Sequence, residues 1–209
     1  MPTTFLLIRH GATHHLHHTL SGRAPHVPLN EEGRTQAESL AQLLHDTPIN
    51  MIFTSPIQRA RETAEILAKP HTLAPIEDHT LLETNWGDWT LHTFDSLNKD
   101  PHWIAFNQHR HSATPPNGES FSQVAARITP WLEAQAHQHP NHTIAIVTHA
   151  DPIRAAILHY SHQPLSAIQN LTIDPATYSL LVFPHTSPPR ILCTNNRQTA
   201  PRMLPTYIA

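Results

Sequence analysis

Short apolar runs, each about as long as one buried strand, recur along this 209-residue chain with amphipathic helical patterns between them. "FLLIR" (5–9), "MIFTS" (51–55) and "TIAIVTH" (143–149) show little polar alternation. Such runs suit strands buried on both faces, as in a parallel sheet. "YSLLVF" (178–183) and "RILCT" (190–194) complete the predicted strands. In "EEGRTQAESLAQLLHD", Ala37, Leu40, Ala41 and Leu44 recur at helix spacing. Ser55 reads as the N-cap of a next helix, with Pro56 at its first position and Gln58 closing a capping box. Ile57, Ala60, Ala64 and Leu67 form its apolar face. Asp151 and Pro152 repeat the cap-then-proline signal ahead of Ile153, Ala156, Ile157 and Tyr160. Strands alternating with helices predict an α/β domain with a mostly parallel sheet.

The length fits one domain with an insertion. The expected domain spans 1–195. Its excursion, at about 89–127, is partly helical and covers one end of the sheet. The polar tail at 196–209 has no periodicity and is expected to attach loosely. A hydrophobic content of 39% suits a soluble fold, and a net charge of −3 gives no strong pull toward nucleic acid. The one cysteine, Cys193, cannot close a disulfide within the chain, which fits a reducing compartment. No basic leader opens the sequence and no stretch is long enough for a membrane span, so a cytoplasmic protein is expected.

Ligands of parallel sheets bind beyond the carboxyl ends of the strands. Arg9 and His10 follow the first strand, Arg59 lies one turn into the helix after the second, and His149 closes "AIVTH". Arg59 is locally awkward, because a cation in the first helical turn opposes the helix dipole. The placement makes sense if that helix end faces an anion, where backbone N–H groups and a guanidinium converge; otherwise Arg59 is a solvated surface arginine. Two arginines and two histidines at one edge describe a phosphate pocket. A neutral imidazole can attack phosphorus, and neighbouring arginines would keep the His10 lone pair free. Glu83, in the aromatic setting of "LLETNWGDW", is the candidate acid for the leaving alkoxide, since burial raises a carboxyl pKa; the bland reading is a loop glutamate.

The ordered series "LLIRHGAT", "SGRAPHVPLNEEGRTQA", "IFTSPIQRARETAEIL", "LLETNWGDW", "PPNGESFSQVAARI" and "IAIVTHADPIRAAI" resembles the phosphoglycerate mutase-like branch of the histidine phosphatase superfamily, over about residues 5 to 183. The resemblance implies a three-layer α/β/α sandwich in which His10 is transiently phosphorylated. Arg9, Arg59 and His149 would bind the phosphoryl group, and Glu83 would be the proton donor. Ser21, Gly22 and Arg23 would contact substrate, and the excursion after Trp89 would be the cap. No metal or organic cofactor is implied. The chain departs from the pattern at three places. Leu16 stands where the first loop usually has an asparagine, Thr90 and Leu91 replace an acidic residue and a glycine, and Ala150 and Asp151 replace a pair of glycines.

The short cap and "PPNGESFSQVAARI" resemble the phosphatase members, including α-ribazole phosphatases, more than the mutases, so the resemblance implies a phosphomonoesterase, with phosphoglycerate mutase-type phosphoryl transfer as the alternative. A small phosphate ester is the expected partner: α-ribazole phosphate, a sugar phosphate or a nucleotide. Trp86, Trp89, Trp103 and Phe106 read either as a stacking wall for a ring or as packing. Two non-enzymatic readings stand beside these. One is a catalytically weak binding module, kept open by Leu16. The other is a metal-binding protein built on "HHLHH" (14–18), which lacks the cysteine or acidic partners of recognisable sites.

Overall fold

The first strand sends its two faces into two different cores. In β1 (Thr3–Arg9), Phe5 and Leu7 join one apolar cluster while Leu6 and Ile8 join another. Side chains alternate along a strand, so an unbroken apolar run serves a sheet covered on both sides. The computed structural model describes residues 2–198.

The other strands are β2 (Met51–Thr54), β3 (Ile76–Glu77), β4 (Thr143–Thr148), β5 (Tyr178–Phe183) and β6 (Arg190–Asn196). They form a six-stranded sheet in the order β3-β2-β4-β1-β5-β6. β3, β2, β4 and β1 run parallel, whereas β5 and β6 are antiparallel additions. The sheet is therefore mixed and mostly parallel. The two-residue β3 carries no apolar pattern, since both its residues are exposed.

Helices α1 (Glu31–Leu43) and α2 (Gln58–Ala68) cover one face, where Leu40, Ala60, Ala64 and Leu67 meet Leu6, Ile8, Ala145 and Val147. The other face is covered by α5 (Phe121–Gln138) and α6 (Ala150–Tyr160), through Phe121, Val124, Ile128, Leu132, Ile153 and Ile157. This is the three-layer sandwich. Between Trp89 and Ser120 lie the short helices α3 (Phe94–Leu97) and α4 (Pro101–Gln108). The expected excursion to 127 overruns the first two turns of α5. Ser120 starts that helix with a capping box to Gln123, and Phe121 and Val124 are already core. Trp86, Trp89, Trp103, Phe106 and Leu97 make a third, separate cluster.

The helix after β2 starts later than the sequence predicts. α2 begins at Gln58, and its N-cap, Ile57, makes no side-chain capping bond. Gln58 instead donates to Glu62 (2.8 Å), and Ser55 is engaged elsewhere. Asp151 is likewise no cap. It sits inside the first turn of α6, whose N-cap is His149. The tail expected from 196 still contributes Asn196 to β6, and its residues from 199 onward lie outside those described.

Candidate active site

Three adjacent strand ends bring the chemistry together. Arg9 pairs with Thr148 in the parallel register, and the His10 backbone N–H donates to the Thr148 carbonyl (3.0 Å). The Ser55 N–H donates to Val147 (2.9 Å). His10, His149 and Ser55 thus leave β1, β4 and β2 side by side. The loop after β1 is held close to α1 by bare backbone. A Cβ on Gly11 would lie 2.4 Å from the Gly33 carbonyl oxygen, and one on Gly33 would lie 2.0 Å from that of Ala12. Both glycines are needed for this approach.

His10 is buried, and its ring nitrogens have distinct roles. Nδ1 lies 2.7 Å from the Gly11 carbonyl, which only accepts, so Nδ1 carries the proton. Nε2 is then the lone pair, and Arg59 Nε donates to it at 3.0 Å. Burial, with Arg59 and Arg9 adding to it, holds His10 well below the usual imidazole range, so the ring is neutral.

Arg59 ties the site together. Its Nη2 donates to the Gly22 carbonyl (2.7 Å) and to His149 Nδ1 (3.2 Å). Because Nδ1 of His149 accepts, its Nε2–H donates to Ser55 Oγ (2.8 Å). His149 is also held well below the usual range, by burial and then by Arg59. The Arg59 guanidinium, pushed down to about 10 by burial, remains charged at neutral pH. Arg9 anchors through Nη1 to the Ile173 carbonyl (2.5 Å). Arg9 Nε and Arg59 Nη1 are buried with no hydrogen-bond partner among the described residues. Buried donors demand acceptors, and an anion is the acceptor that best suits a guanidinium.

A cavity of about 250 Å³ opens above this floor. Arg9, His10, Ser21, Gly22, Arg59 and Glu83 line it on the chemical side; Trp86, Phe94, Trp103 and Asn107 line it from the cap. Glu83 is half-buried, and Oε1 accepts from the Thr84 N–H (2.9 Å). Its carboxyl is raised, chiefly by burial and then by Asp151, against the pull of Arg59 and Arg9. His10, the two arginines and the Glu83 carboxyl, held above its ordinary range, therefore line one space. A larger cleft of about 450 Å³, beside α1 near Pro175, carries none of these groups.

The model of the histidine phosphatase superfamily, branch 1, matches residues 5–197. The chain belongs to this superfamily. Among its relatives is a bifunctional protein of Mycobacterium tuberculosis, 31% identical over 189 residues, which cover 87% of this chain and 50% of the relative. The chain spans about half the length of that protein and of the two other mycobacterial relatives it matches equally well. The adenosylcobalamin/alpha-ribazole phosphatase of Escherichia coli is 28% identical over 181 residues, 84% of this chain and 87% of the relative. The alpha-ribazole phosphatase structure from Shigella flexneri superposes with a TM-score of 0.84 at 25% identity, covering 95% of this chain and 98% of that one.

Not every residue that the sequence singles out lines the cavity. His149 stands behind Arg59. Arg23 is engaged behind the wall, with Nε on the Glu83 carbonyl (2.7 Å) and Nη2 on Glu119 (2.8 Å). Arg127 completes the brace: Nε reaches Glu119 (2.8 Å) and Nη2 the Leu82 carbonyl (2.7 Å). Thr148 Oγ1, bonded to the Leu81 carbonyl (2.6 Å), ties the same loop to β4. Glu83 thus sits on a segment clamped from three directions. Leu16 lines the cavity beside His15 and His17, so imidazoles border the rim where relatives are expected to carry an amide. His15 Nδ1 lies 3.1 Å from Ser21 Oγ. Among the described residues, no group of three or more His, Cys, Asp or Glu side chains could hold a metal ion. The aromatic quartet is buried packing, although Trp86 and Trp103 also show an edge to the cavity.

Sequence reasoning missed Ser55 as a site residue, together with Thr63, Asp151 and Arg110. Thr63 Oγ1 donates to the Arg59 carbonyl (2.7 Å) and accepts from the Gly11 N–H (3.1 Å). Ser55 and Asp151 carry capping signals, and a capping signal hides a second use. No helix among the described residues is long and apolar enough to cross a membrane.

Proposed function

We propose that this protein is a phosphomonoesterase that works through a phosphohistidine on His10. The observation that carries the reading is the fixed tautomer of His10. Nδ1–H is committed to Gly11, the Nε2 lone pair accepts from Arg59, and His10 lines one cavity with Arg9 and Arg59, each of which keeps an unpartnered donor.

The phosphoryl oxygens bind to Arg9 and Arg59, and Arg59 moves its N–H from His10 onto them. The freed Nε2 attacks phosphorus as the ester P–O bond breaks, and the Glu83 carboxyl gives its proton to the leaving alkoxide. Glu83, now a carboxylate, takes a proton from water as that water attacks phosphorus and the P–N bond breaks. Phosphate leaves with Glu83 protonated and His10 neutral again. His149 contributes through Arg59 and, once Arg59 has shifted, as a hydrogen-bond donor to the phosphoryl group. Ser55 supports it because a hydroxyl can donate to Nε2 as readily as it accepts. Positioned donors that meet developing charge are the largest lever such a site has.

The leaving alcohol would meet Trp86, Phe94, Trp103 and Asn107, which line the cavity. A mixed apolar and amide wall suits a ring-bearing alcohol, and two relatives are named for alpha-ribazole. We therefore place α-ribazole 5′-phosphate and sugar phosphates first among substrates. The test is hydrolysis of a panel of phosphomonoesters in EDTA by wild type and His10→Ala. Turnover in wild type that vanishes in the variant is expected; turnover that survives in the variant would refute the route.

A further inference from the structure

Asp151 is a buried carboxylate that the mechanism above does not use. Arg110 Nη2 reaches both of its oxygens (3.0 and 2.8 Å), and Arg154 Nη1 reaches Oδ1 (3.0 Å). Thr84 Oγ1 donates to Oδ2 (2.9 Å). Thr84 is also the residue whose backbone N–H holds the Glu83 carboxyl. One residue therefore ties the two carboxyl groups together, and Arg110, Arg154 and Asp151 all line the cavity with Glu83.

We propose that Asp151 is a positioning residue for the general acid: through Thr84 it fixes the Glu83 carboxyl, and its charge offsets Arg110 and Arg154 on the same wall. The inference rests on the reading of Glu83 as proton donor.

The charges facing Glu83 show why an offset is needed. Arg9 and Arg59 face it from the floor, and Arg23 and Arg127 brace its backbone, shared with Glu119. Arg110 comes from the cap and Arg154 from α6. Nearby cations favour an ionised carboxyl, and an ionised Glu83 has no proton to give. Asp151 works the other way, and after burial it is the main cause of the raised Glu83. Burial opposes the charge on Asp151, but Arg110 and Arg154 outweigh it and hold its carboxyl below the ordinary range. The two acids in one wall are thereby driven apart, Glu83 upward and Asp151 downward.

The experiment compares Asp151→Asn and Thr84→Val with wild type on two substrates. A glycerol phosphate needs its leaving alkoxide protonated; p-nitrophenyl phosphate releases a stable phenolate. The quantity read is kcat/KM, which reports the step that phosphorylates His10. For Asp151→Asn the basic limb of the pH profile is expected to move down by about one unit. Above that limb, glycerol phosphate should lose about tenfold or more while p-nitrophenyl phosphate changes by less than about threefold. For Thr84→Val the alkyl substrate should again lose more than the aryl one, with the limb unmoved. Equal losses on both substrates with an unmoved limb would overturn the proposal, leaving Asp151 a packing residue. If Asp151→Asn does not fold, an unchanged alkyl-to-aryl ratio in Thr84→Val overturns it instead. If Glu83→Gln leaves that ratio unchanged, the assignment of Glu83 fails and the role of Asp151 falls with it.

Discussion

Arg59 Nε donates to His10 Nε2 across 3.0 Å, so in the proposed mechanism the charge that would bind phosphate also covers the lone pair that would attack it. The same guanidinium holds the Gly22 carbonyl and His149. A lysine would keep the charge but not the planar fork that spans these partners. Arg59→Lys is expected to lower kcat/KM by about 10²–10³-fold. Steady-state kinetics on any hydrolysed ester checks it.

Buried neutral histidines make stability depend on pH. His10 and His149 are held well below the ordinary 6.5 by burial and by Arg59. As pH falls through 6.5, the unfolded chain binds protons that the folded chain refuses. Stability then rises with pH across that window and is lost on acidification, by up to about 1.4 kcal/mol per pH unit for each group. Glu83, raised in the fold, acts in the opposite sense: it stabilises below 4.5, and that contribution is lost as pH rises through its folded value. The melting temperature is expected to fall between about pH 7 and pH 5, with a shallower slope in His149→Gln. Calorimetry across that range decides it.

Ser55→Ala leaves the buried Nε2–H of His149 without its acceptor. An unsatisfied buried donor costs about 1–3 kcal/mol. The variant is expected to lose about that much stability in denaturant titration and about tenfold in kcat, since His149 and Arg59 are positioned together.

The cap has its own core, and removing its centre should separate it from the sheet. Trp103 packs on Trp86, Trp89 and Phe106 with ring centroids 5.2–6.0 Å apart. Trp103→Ala is expected to cost about 3–5 kcal/mol. It should raise KM more than it lowers kcat, because the chemical groups stand on the strand ends. Denaturant titration and kinetics on one preparation test both halves.

The fold was legible where burial writes a pattern. The five longer strands and the helix faces are visible because apolar residues recur at the periods of strand and helix. β3 was not, since two exposed residues leave no period. That Arg9, His10 and His149 share one sheet edge is legible because each closes or follows an apolar run. Ser55 and Asp151 were misread as caps, because a serine or aspartate before a helix has the same local signature whether it bonds the helix or a distant side chain. Ser55 bonds His149, 94 residues away, and only the sheet brings them together. Arg23, expected to contact substrate, bonds Glu119, 96 residues away, a partner that no local pattern reveals. The capping box at Ser120 opens α5 within the expected excursion.

The proposed mechanism requires that His10 Nε2 becomes phosphorylated. The direct measurement is rapid acid-free quenching of the wild type, Glu83→Gln and His10→Ala with a turned-over phosphomonoester, followed by mass spectrometry of the peptide spanning Ile8 to Arg23. The account predicts one base-stable, acid-labile phosphate on His10, accumulating most in Glu83→Gln when the leaving group is p-nitrophenolate, and none in His10→Ala. Turnover by wild type with no phosphate on His10 in either competent form would contradict it.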